Sequence, residues 1–353
     1  MKALAQCTGL SCLFFAFLFL PLLPDIRPAS AEESFYKGKT IKIVVGLTTG
    51  GGYDRAGRLL VRYMGKYIPG NPDMIVQNMP GAGSIVAANN VYNVAKPDGL
   101  TLLIPHNNLY LAQLSADKEV RFDLLKMHWI GSLDRDTMML FMRSDAAYKS
   151  IKDFIHAKQP PKCGSTGVGG SDYVLSRLLE ETIGARVDQV VGYPGSNEIA
   201  VAVERGEVAC MGLTIQTFFA REPFQTWVKN SFVQYLVQSG RKRDSRVNAP
   251  TVFELMDEYK TPAAKRQLAQ AMLAGGEWAR SMLVAPATPP DRVQMLRDAY
   301  DKAVKDPDLL SEGRKLKMEI QPRRGTELQA MAKEAMNQPP DVVEQIKKLF
   351  VQQ

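Results

Sequence analysis

The chain has 353 residues, 45% hydrophobic and 23% charged, the balance of an ordinary globular protein with room for two domains. Its formal charge of +7 is a modest excess, suited to small anions rather than to nucleic acid.

Residues 1–31 read as an export signal. Lys2 precedes an apolar core from Leu10 to Leu23, and Ala29-Ser30-Ala31 supplies the small-residue cleavage pattern before Glu32. Cleavage after Ala31 leaves 353 − 31 = 322 residues and a charge of +6, since Lys2, Asp25 and Arg27 depart. The apolar run is shorter than the roughly 20 residues a spanning helix needs, and Pro21 interrupts it. Gly9-Leu10-Ser11-Cys12 precedes the apolar core instead of following it, which argues against a lipid anchor. Cys163 and Cys210 remain in the exported chain, each in an apolar strand-like run. An oxidising compartment permits a bridge between them, although strand cysteines are more often buried small residues.

Thr40 to Leu47 is a β-branched run, followed by a glycine turn and a helical pattern in which Ala56, Leu59, Leu60, Tyr63 and Met64 recur. The strand 74–77, the helix 85–94 and the strand 100–104 complete a strand–helix–strand–helix–strand order, which predicts a parallel sheet covered on both faces. The pattern then restarts. Strands are expected at 138–143, 162–163, 187–193 and 208–213, with helices at 151–157, 173–183 and 198–205. The run 232–237 reads as a strand returning towards the first unit, and 262–274, 291–305 and 326–335 as helices. Two α/β lobes joined by at least two crossings imply a hinge and a cleft that closes around a ligand. The expected division is 32–141 with 240–353 in lobe I and 142–239 in lobe II; the segment 260–276 has no obvious place.

Three glycine-rich turns each follow a strand: Gly50-Gly51-Gly52-Tyr53-Asp54, Pro80-Gly81-Ala82-Gly83-Ser84 and Gly164-Ser165-Thr166-Gly167-Val168-Gly169-Gly170-Ser171. Glycine lets the backbone approach a ligand, and the helix start beyond it offers unpaired N–H groups to an anion. The third turn nearly matches a nucleotide phosphate loop, but Gly170 replaces the lysine that would reach the phosphates, which argues against nucleotide hydrolysis. Ser165 and Thr166 add hydroxyls there, as Thr48 and Thr49 do at the first turn. Asp54 caps its helix or accepts from a ligand hydroxyl. His106 and Asn107 follow a strand end, where α/β clefts form. Each turn also has a purely structural reading as a tight connection.

Catalytic patterns are scarce. His106, His128 and His156 lack zinc spacing, and no G-x-S-x-G turn occurs. An exported hydrolase would have to use Ser165 or Cys163, with His106 remote in sequence and no third member evident.

At its loops the sequence resembles the periplasmic solute-binding receptors of tripartite tricarboxylate transporters, also called Bug-type receptors. The resemblance rests on Gly51-Gly52-Tyr53-Asp54, Asn78-Met79-Pro80-Gly81-Ala82-Gly83 and Pro97-Asp98-Gly99-Leu100-Thr101-Leu102 in order and spacing. It extends to Gly164-Ser165-Thr166-Gly167-Val168-Gly169, Tyr193-Pro194-Gly195 and Ala285-Pro286-Ala287-Thr288-Pro289. The set covers most of the exported chain and is specific as a set. It implies an α/β, two-lobed, type II periplasmic-binding-protein-like fold in which each lobe is a mostly parallel sheet flanked by helices. It also implies delivery of a small organic carboxylate to membrane permease subunits, with no cofactor; the exported chain is expected to be a periplasmic monomer and not an enzyme. Carried over residue by residue, the ligand loops are Thr48, Thr49, Gly50, Gly51, Gly52, Tyr53 and Asp54; Gly81, Ala82, Gly83 and Ser84; Gly164, Ser165, Thr166, Gly167, Gly169 and Gly170; and Tyr193, Pro194, Gly195 and Ser196. Thr48-Thr49, Gly38, Tyr173 (where histidine is usual) and the long 260–276 segment depart from the pattern, leaving ligand identity open. A binding protein that reports to a signalling partner is the alternative to transport.

Overall fold

The computed structural model describes residues 35–167 and 170–350. The expected export signal and Gly169 lie outside the described residues. Eleven strands occur among them: β1 (Thr40–Val45), β2 (Asp73–Asn78), β3 (Thr101–Ile104), β4 (His128–Asp134), β5 (Met138–Arg143), β6 (Lys162–Gly164), β7 (Asp188–Val190), β8 (Cys210–Thr214), β9 (Val233–Gln238), β10 (Ala279–Val284) and β11 (Arg323–Arg324).

The strands form two sheets, ordered β11-β4-β10-β3-β1-β2 and β7-β6-β8-β5-β9. The ladder β2-β1-β3 is parallel, with Val45 paired to both Asn78 and Ile104. The ladder β7-β6-β8 is parallel in the same way. Antiparallel strands complete each sheet: β10, β4 and β11 in the first, β5 and β9 in the second. Both sheets are therefore mixed. They are parallel where a helix crosses over, and the two strands that arrive from the other sheet, β5 and β10, run antiparallel to their neighbours. The same local order recurs in both, since β10 arrives beside β3 as β5 arrives beside β8.

The helix Gly52–Tyr63 shows why the first crossover folds. Ala56, Leu59 and Leu60 recur at helical spacing and are fully buried in one core with Ile41, Ile43 and Ile104. Strand order reverses between β1 and β3, and again between β6 and β8. Crevices consequently open beyond the carboxyl ends of those strands, where the glycine turns lie.

The chain passes between the sheets at 135–137, so all of β5 belongs to the second sheet and the expected boundary after 141 moves upstream. The strand β9 is likewise an edge of the second sheet, beside β5. The segment beyond it bridges the lobes. The helix Ala263–Leu273 packs on the lobe II helix Ser171–Ile183 and on the last helix, Pro340–Phe350. Tyr173 meets Phe350 there, with ring centroids 6.0 Å apart, and Thr261 Oγ1 donates to Thr182 O at 2.7 Å. Cys163 and Cys210 are direct neighbours on β6 and β8 and are joined in a disulfide, with their Cα atoms 4.4 Å apart. No helix among the described residues is long and apolar enough to cross a membrane.

Candidate functional site

The two sheets face each other across a cleft enclosing about 630 Å³ of empty space, counting the part open to solvent. Thr48, Gly51, Gly52 and Tyr53 reach it from the β1 turn, and His106 from the end of β3. The second lobe contributes Thr166, Ser171, Asp172, Gly195, Ser196, Thr214 and Thr217. Leu47, Met138 and Leu213 provide apolar wall.

Three helices begin at this cleft without a side-chain cap: Gly52–Tyr63, Ser171–Ile183 and Ser196–Glu204, whose N-cap positions are Gly51, Gly170 and Gly195. An uncapped helix start leaves backbone N–H groups and the positive end of the helix dipole available to an anion. Two of these starts, at Gly52 and Ser196, come from opposite lobes.

Glycine is required at the closest approaches between the lobes. A Cβ on Gly195 would overlap Thr48 Oγ1, and one on Gly52 would meet Thr217 Oγ1 at 2.9 Å and Arg280 Nη2 at 3.2 Å. Polar contacts also cross the cleft. Ser171 Oγ donates to Asn107 Oδ1 at 3.1 Å and accepts from Asn108 Nδ2 at 3.2 Å, while Tyr53 OH donates to Asn107 Oδ1 at 3.0 Å. His106 stacks on Tyr53 with ring centroids 5.5 Å apart. Its Nδ1 faces the Asn108 N–H at 3.2 Å, and its Nε2 faces both the Ser171 N–H and Ser171 Oγ at 3.4 Å, so backbone donors approach both ring nitrogens. Burial pushes the His106 pKa down to about 4, so the ring is neutral at pH 7. Burial raises the Asp172 carboxyl to about 6, even though it accepts from the Thr166 and Tyr173 N–H groups and so pins the third turn.

Residues 65–348 match the tripartite tricarboxylate transporter family receptor, well over half of the chain. The chain belongs to that family. It is 27% identical over 325 residues to the UPF0065 protein in the gbd 5′ region of Cupriavidus necator, covering 90% of this chain and 91% of that one. Its fold is similar to that of the periplasmic binding protein BugD, with a TM-score of 0.70 and 21% identity over 89% of this chain and 98% of that one. It is similar also to MatC from Rhodopseudomonas palustris with bound malate, with a TM-score of 0.67 and 19% identity over 89% and 99% of the two chains.

In this tripartite tricarboxylate receptor the expected loop residues divide into three groups. Thr48, Gly51, Gly52, Tyr53, His106, Thr166, Gly195 and Ser196 line the inner cleft. Gly81, Ala82, Gly83, Gly167, Tyr193 and Pro194 line a wider outer space that shares Leu47 and Thr166 with it. The remaining described residues support the loops from outside the inner cleft. Thr49 Oγ1 donates to Asn78 Oδ1 at the surface, and Gly50 donates its N–H to Asp54 Oδ2 at 2.8 Å. Asp54 also accepts from Arg58 Nε at 2.9 Å; these donors outweigh its burial and hold its pKa below the usual carboxylate value. Ser84 Oγ donates to Gly46 O and accepts the His106 N–H, and Asn107 forms the contacts between the lobes. Gly164 closes the β6 ladder, Ser165 is fully buried, and Gly170 donates its N–H to Gly167 O. His106 faces Ser171 instead of Ser165, and Cys163 is spent in its disulfide.

The residue that sequence reasoning missed is Arg280. It is 2% exposed in β10, with Nη1 at 2.7 Å from Asp134 Oδ2 and 2.9 Å from Asp136 Oδ1. Its guanidinium lies 5.6 Å from the Tyr53 ring centroid, and its buried Nε has no hydrogen-bond partner. Burial raises the coupled carboxyls of Asp134 and Asp136 above the ordinary value, against the lowering field of Arg280. The available signal was a lone charged residue in the run 278–285, which is otherwise apolar except for Ser281. Among the described residues, no group of three His, Cys, Asp or Glu side chains could hold a metal ion.

Proposed function

We propose that this receptor captures a small organic anion, a mono- or dicarboxylate, in the cleft between its lobes after export to the periplasm, and hands it to the permease of a tripartite transporter. It acts as a monomer, without catalysis. The observation that carries this reading is the convergence of uncapped helix starts from opposite lobes on one cleft, at Gly52 and Ser196. A carboxylate there accepts backbone N–H bonds from both lobes, so binding it favours the closed arrangement. Each charge-assisted bond contributes about 1.5–3 kcal/mol, and micromolar affinity needs about 8 kcal/mol, so several must act together. The malate held by MatC has the expected chemistry. Leu47, Met138 and Leu213 suit the methylene chain of such a ligand.

Isothermal titration calorimetry against acetate, propionate, malate, adipate and citrate tests the proposal. Saturable binding of at least one acid, with a fall in radius of gyration on scattering, is expected. No heat and no compaction for any organic acid would remove the reading.

A further inference from the structure

Five aspartates are buried among the described residues: Asp54, Asp134, Asp136, Asp172 and Asp306. Burying a carboxylate is costly unless a cation meets it. Asp54 has Arg58 within ion-pair distance, Asp134 and Asp136 share Arg280, and Asp306 has Lys66. Among the described residues Asp172 has no cation at that distance. It is also the one of the five that lines the main cleft. The other charged side chain of that lining is Arg280, already held between its two acids, so the lining holds no uncompensated cation. The position of Asp172 is fixed by its neighbours. Its Oδ1 accepts the Tyr173 N–H at 2.9 Å and the Thr166 hydroxyl at 3.4 Å, and its Oδ2 accepts the Thr166 N–H at 3.0 Å. A Cβ on Gly212 of β8 would stand 2.8 Å from Asp172 Cα, so glycine there lets the aspartate seat against the sheet. The carboxylate thus occupies the start of its own helix, Ser171–Ile183, and leaves the starts at Gly52 and Ser196 to a ligand. A carboxylate offers about four lone-pair sites, so capacity remains for a donor in the cleft.

We propose that Asp172 sets the selectivity of the cleft by receiving an ammonium or other cationic group of a ligand whose carboxylate rests on the helix starts at Gly52 and Ser196. The inference rests on the carboxylate reading and narrows it to aminocarboxylates, with an acid on the helix starts and a cation facing Asp172. Such a ligand supplies the counter-ion that the other four buried aspartates find within the protein. Burial lifts the Asp172 carboxyl to about 6, which leaves it mainly ionised at pH 7. A second acidic group at that end would meet it as a like charge in a medium that screens poorly, and a methyl group would leave it buried without a partner.

The test is calorimetry at pH 7 on the full exported chain with acids that differ only away from the shared carboxylate. Butyrate, β-alanine and succinate have one spacer and end in a methyl, an ammonium and a carboxylate. Valerate, 4-aminobutyrate and glutarate do the same on a spacer one methylene longer, and propionate and alanine compare a hydrogen with an α-ammonium. In at least one set the amino acid is expected to bind wild type at least tenfold more tightly than its partners. Asp172→Asn is expected to lose at least tenfold for that amino acid and to gain several-fold for the methyl- and carboxylate-ended acids. A loosened loop would weaken every acid together, so the opposite signs identify the charge. Should Asp172→Asn fail to fold, Asp172→Ser, whose hydroxyl also accepts a backbone N–H, takes its place. A wild type that prefers the methyl or carboxylate end in every set, or a variant that weakens all acids alike or leaves the amino acid unchanged, would overturn the proposal while the carboxylate reading stands. Propylammonium chloride, read as a melting-temperature shift against sodium chloride of equal ionic strength, decides the case in which no acid binds. A larger rise for wild type than for Asp172→Asn keeps the role of Asp172 while the carboxylate reading fails; no difference removes both.

Discussion

Replacing Gly195 with alanine separates lobe closure from folding. The backbone at Gly195 is extended, with φ of −171°, a conformation alanine adopts freely, so the effect is steric alone. The new Cβ would overlap Thr48 Oγ1 and stand 3.2 Å from Glu198 Oε2. Rotating Thr48 offers little relief, because its branched Cβ turns a methyl group towards the same space. Overpacking of this kind costs about 1–3 kcal/mol. Thr48 and Gly195 belong to different lobes, so the free protein escapes the clash by opening, and the penalty falls on the closed, liganded state. At about 1.4 kcal/mol per factor of ten, the dissociation constant should rise about 5- to 150-fold. The melting temperature without ligand should hardly change. Calorimetry with the best carboxylate measures the first quantity and a thermal melt the second. Thr48→Gly in the same chain should recover much of the lost affinity. Unchanged affinity in Gly195→Ala, or a large fall in melting temperature without ligand, would refute the reasoning.

Arg280→Met leaves Asp134 and Asp136 buried without their cation, which should cost about 3–5 kcal/mol in chemical denaturation; an unchanged midpoint would exclude the ion cluster as a structural element. The disulfide spans 47 residues, so its reduction or a double Cys163→Ala, Cys210→Ala change should remove about 4 kcal/mol, and a melt indifferent to reductant would contradict the bridge. His106 has a folded pKa depressed from 6.5 to about 4, so its stabilising contribution is complete above 6.5 and is lost as pH falls towards 4. The stability difference between wild type and His106→Asn should therefore shrink by about 3 kcal/mol over that window, and a pH-independent difference would refute the buried neutral ring.

The parallel ladders and the first and third glycine turns were legible in the sequence because the signals are local. β-branched runs, helical spacing and glycine at strand ends need no knowledge of distant partners. Arg280 was not legible, because its partners Asp134 and Asp136 lie 146 and 144 residues away and only the pairing of β10 with β4 brings them together. The disulfide was undecidable for the same reason: the β6–β8 register makes Cys163 and Cys210 neighbours. The loop at Gly81 to Ser84 reads like a binding turn, yet Ser84 spends its hydroxyl on Gly46 and His106, and only its glycines and Ala82 face the outer cleft. The segment 260–276 looked unplaced because its helix covers neither sheet alone and instead joins Ser171–Ile183 to the last helix.

A crystal structure with the tightest-binding dicarboxylate measures the central claim most directly. One carboxylate should lie within about 3 Å of backbone N–H groups at both helix starts, Gly52–Tyr53 in one lobe and Ser196–Asn197 in the other. A ligand bound with both acidic groups remote from those amides, or held by one lobe only, would contradict the account.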